Sequence, residues 1–161
     1  MIPRNVAVLA GAGFGFALLA ITGCKDRNDT ARGATEPLRY GALMSEVGRR
    51  FELLGRAGAA RRWELAAFEL HELEEVFEDL PKAKRPETTG GVNLRGIEQA
   101  FTGTHPAEIK AALDARDAMA FTTAFGRAAA TCNGCHQATG HRFIEIPGEP
   151  GAGIPKLDPV P

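Results

Sequence analysis

Apolar residues recur at three- and four-residue steps through the middle of the chain, and this period limits the fold to packed helices. The first set that shares one helical face is Tyr40, Met44, Val47, Phe51 and Leu54. The second set is Trp63, Ala67, Leu70, Leu73, Phe77 and Leu80. A helix with such a stripe buries it against a neighbour and turns its charged residues to solvent. The predicted solvent face of the second helix holds Glu64, Glu69, Glu72, Glu75 and Glu78.

Two further helical segments follow a predicted crossover loop at residues 82–91. The third segment covers residues 94–115, and Pro106 interrupts it, which predicts either one kinked helix or two shorter ones. Asp117 is a good N-cap for the fourth helix, and Gly140 ends that helix. Four amphipathic helices predict an all-α fold, and the longer crossover between two of them favours a four-helix bundle over residues 37–146.

The run Cys132-Asn133-Gly134-Cys135-His136 in the last helix is the strongest chemical signal in the chain. The pattern C-x-x-C-H is typical of covalent c-type haem attachment. In that chemistry the two thiols form thioethers with the haem vinyl groups, and the histidine binds the iron. The sequence therefore predicts one covalent haem c, with Cys132 and Cys135 as the anchors and His136 as the proximal iron ligand.

Other interpretations of the two cysteines are weaker. A structural zinc site needs four ligands, whereas Cys24 is distant in sequence and the remaining histidines are His71, His105 and His141. A thioredoxin-like redox pair would lie near a βαβ pattern, and no strand pattern is visible. A plain disulfide between Cys132 and Cys135 and a chance match remain as alternatives.

The first 23 residues have the pattern of a secretory signal. Arg4 provides the positive start, and residues 6–21 form an apolar run that is somewhat short for a bilayer span. The run Ile21-Thr22-Gly23-Cys24 resembles the lipobox of bacterial lipoproteins, which implies that Cys24 becomes the first mature residue and carries lipid. Conventional cleavage and an uncleaved anchor are the alternatives.

Lipidation and haem attachment both place the protein outside the bacterial cytoplasm. We expect a periplasmic protein that is held at a lipid membrane through Cys24, with residues 24–36 as a polar tether. Lys25 lacks the acidic character of a known retention signal, which favours the outer membrane. The last residues, 147–161, are rich in proline and glycine and are predicted to be a disordered tail.

Charge indicates little about the partners of the chain. The formal net charge is −1 at pH 7, and no large basic patch stands out. Recognition of nucleic acid depends on such a patch because the phosphate backbone is negative. The sequence therefore argues against a nucleic-acid partner.

A helical bundle with C-x-x-C-H in its last helix resembles the class II c-type cytochromes, which include the cytochrome c-prime proteins and their low-spin relatives. The resemblance covers residues 37–140 and implies that a residue of the first helix faces the second side of the haem. There a methionine completes a six-coordinate, electron-transferring iron, and a leucine leaves an open position. The resemblance also implies a homodimer formed through the first two helices.

Met44 and Leu43 occupy the corresponding part of the first helix. Met44 lies on the apolar stripe and is the candidate sixth ligand, although methionine also suits ordinary core packing. The chain departs from the cytochrome c-prime pattern after the haem motif, because Arg142 and Phe143 follow only after Gly140. The small residues of the run Ala128-Ala129-Ala130 are expected to make room for the macrocycle.

These features predict a single-electron carrier with His/Met iron coordination and a protein redox partner, rather than an enzyme. The alternative is a five-coordinate haem protein that binds nitric oxide or carbon monoxide, or reacts with peroxide, if Leu43 faces the iron. Three histidines compete with Met44 for the sixth position. His71 is expected to be exposed, His105 to serve a cap or turn, and His141 to contact a propionate at most.

Overall fold

The computed structural model describes residues 38–85 and 91–154, and this part of the chain is helical. The helices are α1 (Tyr40–Ala59), α2 (Trp63–Asp79), α3 (Leu94–Thr102), α4 (His105–Asp114) and α5 (Ala118–Ala138). A 3-10 turn, Leu80–Lys82, follows α2. Within the described ranges the extended pairing is limited to an isolated bridge between Arg39 and Lys84. The all-α prediction is confirmed.

Some predictions fall outside the described residues. The signal segment 1–23, Cys24, the rest of the tether up to residue 36 and the end of the tail at residues 155–161 all lie there. None of the described helices is both long enough and apolar enough to cross a membrane.

The breaks between helices follow from local chemistry. Pro106 divides the third predicted segment into α3 and α4, and it lies in the first turn of α4, where its missing N–H leaves no helical acceptor unpaired. The Asp117 carboxylate accepts hydrogen bonds from the backbone N–H groups of Met119 and Ala120 at 2.9 and 3.0 Å. The predicted N-cap of the last helix is therefore confirmed.

The helices pack α1 on α2, α2 on α4, α4 on α5 and α5 on α1, and α3 contacts α2, α4 and α5. Stacked aromatic rings connect some of these helices. Phe51 of α1 stacks on Phe125 of α5 with ring centroids 4.3 Å apart, and Phe77 of α2 stacks on Phe101 of α3 at 4.5 Å. Each such buried side chain stabilises the fold by about 1.5–3 kcal/mol. The core therefore depends on contacts between segments far apart in sequence.

The buried face of α2 differs from the predicted one. Glu69, predicted on the solvent face, is only 6 % exposed, and Ala66 is buried in place of the predicted Ala67. The Glu69 carboxylate accepts a hydrogen bond of 3.0 Å from Arg50 of α1. A buried carboxylate is tolerated where a cation and hydrogen bonds compensate its lost hydration.

Residues 141–154, here called the strap, follow α5 and lie against α1 and α5. A Cβ atom at Gly126 would lie 3.2 Å from the Gly148 carbonyl oxygen, and one at Gly55 would lie 3.5 Å from the Gly151 nitrogen. The Ile154 N–H points to the Glu52 carboxylate at 3.4 Å. The predicted disordered tail begins at residue 147. In its described part Pro147 is buried and Ile154 packs partly against the core, whereas residues 151–153 are exposed. Gly55 and Gly126 leave room for the backbone of the strap where it passes α1 and α5.

Candidate functional site

A cavity of about 1070 Å³ lies between α1, α2, α3, α5 and the strap. This volume slightly exceeds the ~300–1,000 Å³ typical of small-molecule and cofactor sites. Its apolar wall consists of Val47, Phe51, Phe77, Leu94, Ile97, Phe101, Ile144, Ile146 and Ile154. The predicted haem residues Cys132, Cys135, His136 and Met44 also line it. The fold therefore brings four of the sequence-predicted site residues to one cavity.

The attachment motif lies in the last two turns of α5. Cys132, Cys135 and His136 are three and four residues apart, so they share one helical face. Both cysteines are free thiols. Burial raises the pKa of Cys132 to about 12. Burial, and then the negative charge of Glu98, also raises the pKa of Cys135.

The orientation of the His136 ring is fixed by the strap. Its Nδ1 atom lies 2.7 Å from the Ile144 carbonyl oxygen. A carbonyl oxygen can only accept a hydrogen bond, so in the neutral ring Nδ1 holds the proton and Nε2 keeps a free electron pair. This tautomer leaves Nε2 able to bind a metal, and the carbonyl makes the ring a better electron donor.

Asn133, one of the two residues between the cysteines, binds the strap as well. Its side-chain Nδ2 donates to the Ile146 carbonyl oxygen at 2.8 Å, and its Oδ1 accepts from the Ile146 N–H at 2.7 Å. Ile146 is itself buried in the core. The motif and the strap are therefore held together at two neighbouring points.

The α1 wall of the cavity contains Met44 but not Leu43, although both residues are partly buried against the core. Gly41, Ser45 and Gly48 line the same wall. A Cβ atom added at Gly41 would meet no heavy atom within 4 Å. Open space next to small residues suits a flat, bulky group on this side.

The run predicted to make room for the macrocycle does something else. Ala128 and Ala129 are completely buried in the core, and neither they nor Ala130 line the cavity. The expectation for this run is wrong, because Ala128 and Ala129 pack into the core and Ala130 is exposed. The small residues that border the cavity belong to α1 instead.

The cavity wall also holds a polar cluster that the sequence did not predict. Arg85 donates two hydrogen bonds to the Glu98 carboxylate, at 3.1 and 2.8 Å, and the Tyr40 hydroxyl donates a third at 2.9 Å. Burial, followed by the contact with Glu98, raises the pKa of Tyr40. These residues come from three separate segments and form no motif, so no sequence signal could have found them. Further cations that line the cavity are Arg39, Arg49 and Lys84.

The three competing histidines are placed differently. His71 is exposed on α2 and lies 3.4 Å from Glu75. His105 is buried beside Thr131, with Nε2 and Oγ1 2.8 Å apart, and does not line the cavity. His141 does line it, with Nδ1 3.1 Å from the Thr139 hydroxyl. Arg142 is exposed and is not part of the wall.

The donor set suits a planar apolar macrocycle that has acidic substituents and a central metal. Two thiols, a free imidazole nitrogen and a thioether face a space with apolar walls and several cations. In the part of the chain that the structure describes, no group of three His, Cys, Asp or Glu residues could hold a bare metal ion.

Comparison of the chain with protein-family models, with curated proteins and with solved structures finds no significant match.

Proposed function

We propose that this protein is a class II-type cytochrome c that transfers single electrons. One haem c is attached through Cys132 and Cys135, His136 binds the iron on one side, and Met44 binds it on the other. The observation that supports this proposal is that all four residues line a single cavity, which they reach from two different helices. In this proposal the four-helix bundle has α1, α2 and α5 as three members, and α3 and α4 together form the fourth.

The chemistry that the haem supplies is the reversible one-electron exchange of its iron, and a methionine ligand favours the ferrous state. The protein residues prepare the site. The Ile144 carbonyl holds the proton on Nδ1 of His136, and apolar side chains such as Ile97 and Phe101 keep water from the wall. Arg39 and Lys84 offer partners for the haem carboxylates, since both are cations on the cavity wall.

We also propose that the protein works in the periplasm, held by lipid on Cys24 at the outer membrane, where it exchanges electrons with a partner protein. The lipobox-like run before Cys24 supports this. A Cys24→Ser variant is expected to move from the membrane fraction to the soluble fraction with its haem retained. An unchanged distribution would contradict lipidation at this residue. Dimer formation through α1 and α2 is part of the same proposal.

An open iron position that binds a small gas is the competing function. It would require a non-ligand residue such as Leu43 on the α1 wall of the cavity. Because Met44 lines this wall and Leu43 does not, the geometry favours the electron carrier.

The test has two steps on protein expressed with a haem-maturation system. First, mass spectrometry and the pyridine haemochrome spectrum should show one haem joined by two thioethers, lost when both cysteines are replaced. Second, the ferric protein should show the near-infrared sulfur-to-iron band, and Met44→Ala should abolish it. Met119→Ala is the matched control, since Met119 is 80 % exposed and outside the cavity.

Two results would contradict the proposal. A polypeptide without haem would remove its basis. A high-spin ferric spectrum that is the same in the wild type and in Met44→Ala would instead establish the open-position alternative.

A further inference from the structure

The side chain of Asn133 occupies an unusual position for an asparagine, in the interior of a helix. Asparagine is a poor residue there because its amide competes for backbone hydrogen bonds. α5 extends from Ala118 to Ala138, so Asn133 has helical turns on both sides. Haem attachment asks only for two residues between the cysteines and does not specify their side chains. The asparagine therefore calls for a separate explanation.

The contacts of its amide group supply one. Both polar atoms bind the same residue of the strap, with Nδ2 2.8 Å from the Ile146 carbonyl oxygen and Oδ1 2.7 Å from the Ile146 nitrogen. Because one backbone partner only accepts and the other only donates, the orientation of the amide is determined. An amide rotated by 180° would place its NH₂ group against the Ile146 N–H and its oxygen against the Ile146 carbonyl oxygen. This arrangement fixes the backbone of residue 146 in position and orientation.

The same stretch of strap controls the proximal histidine. Ile144, two residues before Ile146, provides the carbonyl oxygen that lies 2.7 Å from Nδ1 of His136. Ile146 is buried and Ile144 is partly buried, so the backbone between them is anchored on both sides. Asn133 thus holds the segment whose carbonyl determines the tautomer and the direction of the imidazole.

We propose that Asn133 is a positioning residue for the iron ligand, acting through the strap on His136. It does not touch the haem iron in this proposal, which rests on the proposed function. Its role is to keep the Ile144 carbonyl in hydrogen-bonding range, so that His136 donates strongly to the metal through Nε2. Strong donation stabilises ferric iron and lowers the reduction potential.

The first experiment uses nitrogen-15 NMR of the full chain. The chemical shifts of the two His136 ring nitrogens identify the tautomer, and the exchange rate of the Nδ1 proton with solvent is measured separately. This measurement works on the chain with ferrous haem and on the chain without haem. The wild type should show a proton on Nδ1 that exchanges slowly with solvent. In Asn133→Ala the exchange of this proton should accelerate at least tenfold.

The second experiment measures the midpoint potential of the holoprotein. Asn133→Ala should raise it by about 59 mV, which corresponds to a tenfold change in the ratio of ferric to ferrous iron for one electron. Gln137→Ala is the matched control, because this amide is exposed on the same helix next to His136. It should leave both the potential and the exchange rate unchanged.

Asn133→Ser provides a second variant if Asn133→Ala does not fold, since its shorter hydroxyl group cannot bind both backbone atoms of Ile146. The inference is overturned if the variant that folds binds haem with unchanged potential and unchanged Nδ1–H exchange. If the wild type carries no haem but Asn133 still controls the Nδ1 proton, the proposed function fails and the positioning role stands. The two failures are therefore distinguishable.

Discussion

At the scale of single residues, glycines determine how closely α1 approaches α5. Gly55 and Gly58 face the rings of Phe125 and Phe121, both of which are buried. A Cβ atom at Gly55 would lie 2.7 Å from the Phe125 ring, and one at Gly58 would overlap the ring of Phe121. These rings cannot retreat without opening the core. The α1–α5 contact therefore depends on the absence of two side chains.

Gly58→Ala is expected to lower the free energy of unfolding by about 1–3 kcal/mol, the usual effect of overpacking a core. The gain in helix propensity, ~1 kcal/mol at most, opposes this loss and does not cancel it. Chemical denaturation of the holoprotein measures the difference. Gly153→Ala is the control, since its Cβ would meet nothing within 4 Å and Gly153 does not line the cavity. Equal stability of the two variants would contradict the close packing at Gly58.

A second prediction at this scale concerns Glu46. Hydrogen bonds from Arg49, and then from Arg50, lower the pKa of the Glu46 carboxyl from 4.5 to about 2. A carboxyl whose pKa is lower in the folded state stabilises the fold above its unfolded pKa, and this contribution disappears as the pH falls through the folded pKa. Glu46→Gln should therefore lower the melting temperature above pH 5, and this difference should shrink as the pH falls towards 2. A difference that does not vary with pH would contradict the ion pairs.

At the scale of the elements, Arg50 connects α1 to α2. Its guanidinium contacts Glu69 at 3.0 Å and Glu72 at 2.6 Å on α2, and Glu46 at 2.8 Å on its own helix. Glu69 is almost completely buried. Without Arg50 this carboxylate would keep the cost of burial and lose its compensation.

Arg50→Ala is expected to destabilise the protein by about 3 kcal/mol, because it leaves Glu69 buried and unpaired. Lys110→Ala is the matched control. Lys110 is exposed, lies away from the cavity and pairs with Asp114 on the surface, so its loss should change the free energy of unfolding by ~0–1 kcal/mol. Denaturant titrations of both variants provide the comparison. Equal effects would show that the α1–α2 ion pairs act as ordinary surface pairs.

The elements also show how far the sequence determines the structure. Pro106 and Asp117 act on adjacent residues, so the break between α3 and α4 and the start of α5 were predictable. The burial of Glu69 was not, because it requires a partner 19 positions away on another helix. The packing of the strap was not predictable either. Its composition indicates disorder, and the room for it exists only after α1 and α5 have packed.

In the candidate site, too, features set by neighbouring residues were predictable, and features that depend on distant partners were not. Cys132, Cys135 and His136 are defined by spacing within one helix, and the sequence identified them directly as candidates. The choice between Met44 and Leu43 depends on the rotation of α1 about its axis, which neighbouring elements set. Residues that meet only through the fold, such as Arg85 and Glu98, leave no local pattern to read.

At the scale of the whole molecule, the cavity is the feature that all elements share. Its walls come from α1, α2, α3, α5 and the strap, so it exists only when these elements are assembled. The space of about 1070 Å³ is partly open to solvent, so apolar side chains such as Phe101 and Ile97 face water where nothing covers them. Apolar surface left in water costs about 25 cal/mol per Å² relative to buried surface. Under the proposed function, the haem would cover this apolar wall.

The apolar surface of the cavity wall predicts how the chain behaves without haem. The double variant Cys132→Ala, Cys135→Ala, purified free of haem, should keep most of its far-ultraviolet helical signal, because the helices retain their own hydrogen bonds. Its near-ultraviolet signal from Trp63 and Tyr40 should weaken, and it should bind a hydrophobic dye, as expected of a loosely packed state. The strap should become the first site of proteolysis, since Ile144 and Ile146, which attach it to α5, both line the cavity.

Holoprotein that carries Gln137→Ala is the control, since it changes an exposed residue of α5 and leaves the cavity filled. It should unfold cooperatively and resist cleavage within residues 141–154. If the haem-free double variant instead unfolds with the same midpoint and cooperativity as this control, the walls of the cavity support themselves. In that case the apolar wall of the cavity is stable in contact with water, and the fold does not depend on a bound group.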